Sequence, residues 1–148
     1  MSFKRAVAPG VLVLCLSLLS SAQVDAAGAC VVAKRMGDSL ALEWLAQPGI
    51  TVQQAVNEAE RLLQEQGYGK DRYEDVFAQA NTDLPHAYAL IVKTSYKNAR
   101  GKSRTSYGCG FSAESYSDAQ WSALRDLQAY SWGWTPSRGF EVVEQFKF

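Results

Sequence analysis

Cys30 and Cys109 are the two cysteines left once the start of this chain is set aside, and joining them is the strongest constraint on how it folds. The start reads as a secretory signal. Lys4 and Arg5 supply a short positive segment, residues 11–19 are an apolar run, and residues 20–26 are rich in small side chains. A run of roughly 10 apolar residues is about half of the ~20 needed to cross a bilayer. Cleavage is expected after Ala26, with Ala22 as the alternative, giving a signal peptide over 1–26 and a single domain over 27–148. The expected location is the periplasm or the exterior. Cys15 leaves with the signal, and two remaining cysteines in an oxidising compartment pair. Their bridge would close a loop of about 80 residues, worth roughly 4 kcal/mol in the chain-entropy description. The competing fate of Cys30 is lipidation, raised by the small residues Ala27, Gly28 and Ala29 before it. Against it, Ala27 stands where a lipoprotein signal carries leucine.

Removing residues 1–26 takes away Lys4, Arg5 and Asp25. Fifteen cations and fifteen acids become 13 against 14, a net charge of −1. So even a balance argues against a general nucleic-acid binder, which would be globally basic. The remaining length suffices for one domain with a real core and leaves no room for a second.

The chain then alternates two periods. Residues 31–35 and 40–46 read as strands around turn material at 36–39, with Leu40, Leu42 and Trp44 on one face. Gln47, Pro48 and Gly49 stop the second. Thr51 is a helix cap, and Gln54 three residues on completes a capping box. Val52, Ala55, Val56, Ala59, Leu62 and Leu63 form one apolar stripe at helical spacing, and Gly67 ends it. Residues 73–79 return as a strand. The second half repeats the plan. Residues 87–96 are a strand, 97–103 a polar hairpin tip, and 104–111 the returning strand. Ser115 caps a helix with Asp118 three residues later and Ala119, Ala123, Leu124 and Leu127 facing inward. Residues 132–136 break the pattern before a final strand over 140–148.

The halves overlay. A shift of 64 places Thr51 on Ser115, Ala55 on Ala119, Ala59 on Ala123 and Leu63 on Leu127. A shift of 66 places Arg72 on Arg138 and Gln79 on Gln145. The expected fold is α+β: an antiparallel sheet with two helices packed on one face, one disulfide, and two ββαβ repeats as the finer reading.

Common catalytic equipment is missing from the pattern. His86 is the only histidine. There is no Gly-x-Ser-x-Gly elbow, and a bridged Cys109 could not serve His86 as a nucleophile. Asp71, Glu74 and Asp75 lack calcium-loop spacing. The run Gly101, Lys102, Ser103 lacks the first glycine of a phosphate loop and is not followed by a helix. No catalytic residue, metal site or cofactor is therefore assigned.

Two features point outward instead. Lys93, Lys97, Arg100, Lys102 and Arg104 fall together with no acid before Glu114, making one basic finger suited to an anionic partner. The bland reading is a hairpin whose charges discourage edge pairing. Trp132 and Trp134 flank Gly133 in a loop, and Tyr, Trp and Arg are the residues that anchor interfaces. The alternative is a loop folded back so that its indoles pack on the core.

Residues 88–92, Gly101, residues 107–110, residues 117–119 and residues 123–124 resemble the small exported bacterial domains of unknown function built on a strand–hairpin–strand–helix unit. This chain lacks the cysteine at the helix end, and the resemblance brings no functional residues. The leading expectation is an exported, non-enzymatic binding protein: an inhibitor or immunity protein acting on an envelope enzyme or toxin. Lys97, Arg100, Lys102 and Arg104 would steer, and Trp132 and Trp134 would make contact. No nucleic acid and no stable membrane insertion are expected. The alternatives are a small envelope-polymer hydrolase using carboxylates, or a structural or ligand-carrying envelope protein.

Overall fold

The computed structural model describes residues 26–148. The expected signal peptide therefore lies outside the described residues except for Ala26. β1 (Ala26–Arg35) turns through Met36 and Gly37 into β2 (Asp38–Pro48). Both turn residues have positive φ, 49° and 82°, matching the twist of a two-residue hairpin. α1 (Val52–Glu65) begins at Thr51, whose hydroxyl accepts the Gln54 N–H at 3.2 Å while the Gln54 carboxamide accepts the Thr51 N–H at 2.8 Å. The expected capping box is present. β3 (Glu74–Thr82) then pairs antiparallel with the free side of β1.

The second half has the same order. β4 (Tyr88–Lys97) and β5 (Ser103–Ser112) form a hairpin, α2 (Tyr116–Tyr130) is capped by Ser115, and β6 (Glu141–Lys147) pairs antiparallel with β4. The strand orders are β2-β1-β3 and β5-β4-β6. The pairing of β1 with β3 shifts register between Cys30 and Val31, and that of β4 with β6 between Ile91 and Val92, while β1 shifts a second time against β2, between Ala33 and Lys34. Ala55, Ala59 and Leu63 are buried in α1, as are Ala119, Ala123 and Leu127 in α2, at the same offset of 64. This is the arrangement that two ββαβ units would give.

The layers differ from a single sheet carrying both helices on one face. There are two three-stranded sheets, and each carries its own helix. The reason lies in the central strands. Ala29, Val31 and Ala33 of β1 pack under α1, while Cys30, between them, faces the other sheet. In β4, Leu90 and Val92 pack under α2, while Ile91 faces the other sheet. A strand buried on both faces needs a cover on each side, and the second cover is the partner sheet.

That seam joins Cys30, Ile91 and Cys109 with Leu42, Trp44, Ala80, Tyr107 and Phe146. Trp44 stacks on Phe146 with ring centroids 3.8 Å apart. The Cys30–Cys109 disulfide crosses the seam from β1 to β5, with Cα atoms 6.5 Å apart. The expected bridge is thus present, and Cys30 is committed to it rather than to a lipid. Among the described residues, no helix is long and apolar enough to cross a membrane.

Candidate binding face

The β4–β5 hairpin tip is set by Asn98. Its side-chain oxygen accepts the N–H groups of Arg100 and Lys102, each at 3.0 Å, and its backbone N–H donates to Lys102 O at 2.9 Å. Gly101 takes φ 74°, a conformation that suits glycine. The tip thus holds Lys97, Arg100 and Lys102 exposed, and none of the three forms an ion pair among the described residues. Arg104 behaves differently. It is partly buried and leans 3.6 Å from Asp38 of β2, whose other oxygen accepts the Thr105 N–H at 2.7 Å. Its charge is partly offset and ties one unit to the other. Lys93 likewise lies 3.5 Å from Glu141, while Arg35 binds Asp71 and Glu74 at 2.9 and 2.6 Å.

The tryptophan loop packs against the root of this hairpin and separates its two indoles. Trp134 is 7% exposed and joins Leu90, Val92, Ala119, Ala123 and Leu127 in the core under α2. Its Nε1–H donates to Gly139 O at 2.8 Å, and Thr94 Oγ1 donates to the same carbonyl at 3.2 Å. Gly133 lies on the Tyr96 ring, so closely that a Cβ there would fall 2.3 Å from the ring carbons. Trp132 is 101% exposed. The expectation that both indoles face a partner is therefore corrected: Trp134 is the anchor, and Trp132 is the one presented. Arg138, which the sequence reading did not assign to this face, sits 5.9 Å from the Tyr96 ring centroid and has no ion pair among the described residues. Lys97, Arg100, Lys102, Arg138 and Trp132 are brought to one end of the molecule.

The carboxylates that reach this hairpin among the described residues are Asp38, beside Arg104, and Glu141, beside Lys93. Residues 84–113 and 127–140, which include the hairpin and the tryptophan loop, contain no Asp or Glu. His86 is exposed at the bend before β4, and the Cys109 sulfur is held in the bridge. Glu144 accepts the Trp44 Nε1–H at 2.8 Å. Among the described residues, no group of three His, Cys, Asp or Glu side chains is placed to hold a metal. At the sheet seam, lined by Cys30, Trp44, Ile91, Cys109, Phe111 and Phe146, the cavity volume is about 0 Å³.

Beneath the face lies a polar junction that the sequence reading missed. Asp126 of α2 accepts the Cys109 N–H at 2.8 Å and the Gln79 Nε2–H at 2.7 Å, both on Oδ2. Gln79 of β3 also donates to Tyr107 O at 2.6 Å. Lys34 of β1, 7% exposed, donates to Tyr130 O at 3.0 Å and lies over the Phe77 and Tyr130 rings at 5.8 and 5.2 Å. Burial pushes the Asp126 carboxyl up to about 6, opposed by the bonds from Gln79 and Cys109 and by the Lys34 charge. Burial also lowers the Lys34 ammonium, opposed by Asp126. The available signal was helical spacing: Asp126 falls seven residues after Ala119 and next to Leu127, on the edge of the apolar stripe.

Compared with protein-family models, curated proteins and solved structures, the chain matches none.

Proposed function

We propose that this chain is an exported, non-enzymatic binding protein whose working surface is the basic hairpin tip together with Trp132. The most specific form of the reading is an inhibitor or immunity protein directed at an envelope-acting enzyme or toxin. One observation carries it: a fully exposed indole stands on a loop fixed by a buried anchor and packed on Tyr96 of the hairpin, whose tip holds cations without an ion pair among the described residues. Large exposed apolar side chains beside Arg and Lys are what protein interfaces use for contact and steering. The bridge across the seam fits a protein made for an oxidising compartment, and export would rest on the signal read in residues 1–26.

The test is affinity capture from an envelope extract, with the wild-type protein beside a Lys97→Glu, Arg100→Glu, Lys102→Glu variant. One partner protein is expected with the wild type at low salt and is lost in the variant. Recovery of no partner, or equal recovery by both, counts against the reading.

A further inference from the structure

Met36 stands against the chemistry of its own turn. It takes φ 49° at the first position of the two-residue β1–β2 hairpin loop, and it is the one non-glycine residue with positive φ among the described residues. That conformation is unfavourable for an L side chain, and the twist of such a hairpin favours Asn before a glycine such as Gly37. Packing does not compensate. The Met36 side chain is 78% exposed and belongs to none of the apolar clusters of the core. A residue that breaks a local rule with no packing gain points to a role outside the fold.

The neighbours of Met36 tie it to the face already described. Arg35, just before it, binds Asp71 and Glu74 at 2.9 and 2.6 Å. These acids flank Arg72 and Tyr73 in the loop between α1 and β3. Tyr73 is 54% exposed, its N–H donates to Asp71 Oδ1 at 2.9 Å, and the Arg72 guanidinium lies 4.5 Å from its ring centroid. Asp38, just after Gly37, accepts the Thr105 N–H at 2.7 Å and lies 3.6 Å from Arg104, at the root of the basic hairpin. Lys34 donates to Tyr130 O at 3.0 Å, two residues before Trp132. Met36, Tyr73, the basic tip and Trp132 therefore stand at one end of the molecule.

We propose that Met36 and Tyr73 are contact residues that carry the binding face across the seam onto the first sheet. This extension rests on the reading of the basic tip and Trp132 as a protein-binding face. The partner it fits is a protein that offers carboxylates to Lys97, Arg100, Lys102 and Arg138, and apolar hollows to Trp132, Met36 and Tyr73. An unbranched thioether adapts to an irregular hollow, and exposed apolar side chains grouped within polar surroundings mark interfaces. Asp38, Asp71 and Glu74 lie beside the same contact residues. Carboxylates there are repelled by an anionic lipid surface but are ordinary at the polar rim of a protein interface.

Three measurements on the disulfide-intact protein test the extension. Denaturant unfolding of Met36→Asn is expected to give a midpoint equal to or above that of wild type. A lower midpoint makes Met36 a residue of the fold and overturns its contact role. Benzoylphenylalanine at position 73, close in shape to the tyrosine it replaces, is expected to crosslink in the native envelope to the same protein as it does at position 132. Adding Met36→Asn should lower that yield about tenfold. An adduct at 132 without one at 73, or a yield that Met36→Asn leaves unchanged, overturns the extension and leaves the basic tip and Trp132 as the face. No adduct at either position defeats both. Vesicles of phosphatidylethanolamine and phosphatidylglycerol are expected not to sediment the protein; co-sedimentation would assign this end to a membrane and overturn the protein partner.

Discussion

Trp132 and Trp134 show how completely surroundings decide what a residue does. They share a type, a loop and a neighbour in Gly133, yet one is fully exposed and the other is core. The Gly139 carbonyl receives the Trp134 indole N–H, which makes burial of that polar edge tolerable. Trp134→Ala should cost about 3–5 kcal/mol of stability, whereas Trp132→Ala should stay within about 0.5 kcal/mol. Denaturant unfolding of the two variants separates anchor from contact residue. Their sequence environments could not: both read as loop aromatics, and the hole that receives Trp134 is built by β4 and α2. Asp126 was equally hard to see. Its carboxylate meets Gln79 47 residues away, a distance that no local pattern spans.

At the scale of elements, close approach rather than propensity sets the position of α2. A Cβ on Gly110 would lie 1.9 Å from Ala119 O, and one on Gly108 would lie 2.2 Å from Ala123 O. β5 therefore presents bare backbone to the helix, while Tyr107 and Cys109, between and beside those glycines, face the other sheet. Gly110→Ala must push α2 outward and is expected to cost about 3 kcal/mol or more. Gly101→Ala at the hairpin tip meets no neighbour and has only its positive φ to overcome, at about 1–2 kcal/mol. Thermal unfolding of the two alanine variants should rank them in that order. Elements set by local chemistry were legible: both helix caps fall at Thr51 and Ser115, and the hairpin tip falls where the polar run lies. The division into two sheets was not. Alternation in β1 and β4 says which residues share a face, but both faces are apolar there, and nothing local says that a second sheet rather than a helix covers one of them.

For the whole molecule, two three-stranded sheets, each carrying its own helix, lie face to face, fastened by a covalent bridge and by polar contacts. The bridge joins residues 79 apart, which in the chain-entropy description is worth about 4–5 kcal/mol. Gln79, Lys34, Asp38 and Arg104 add bonds across the same boundary. The hairpin tip and the tryptophan loop meet within the second half, where Gly133 and Arg138 lie against the Tyr96 ring, and together they form the surface proposed for binding. Trp121, 66% exposed on the outer side of α2, is a control: an open indole away from the hairpin tip. The most direct test places a photo-crosslinking benzoylphenylalanine at position 132 in one protein and at position 121 in another, with both expressed in the native envelope. A protein adduct at 132, lost on adding the Lys97→Glu, Arg100→Glu, Lys102→Glu changes and absent at 121, is the result this account predicts. No adduct at 132, or the same adduct at both positions, would contradict it.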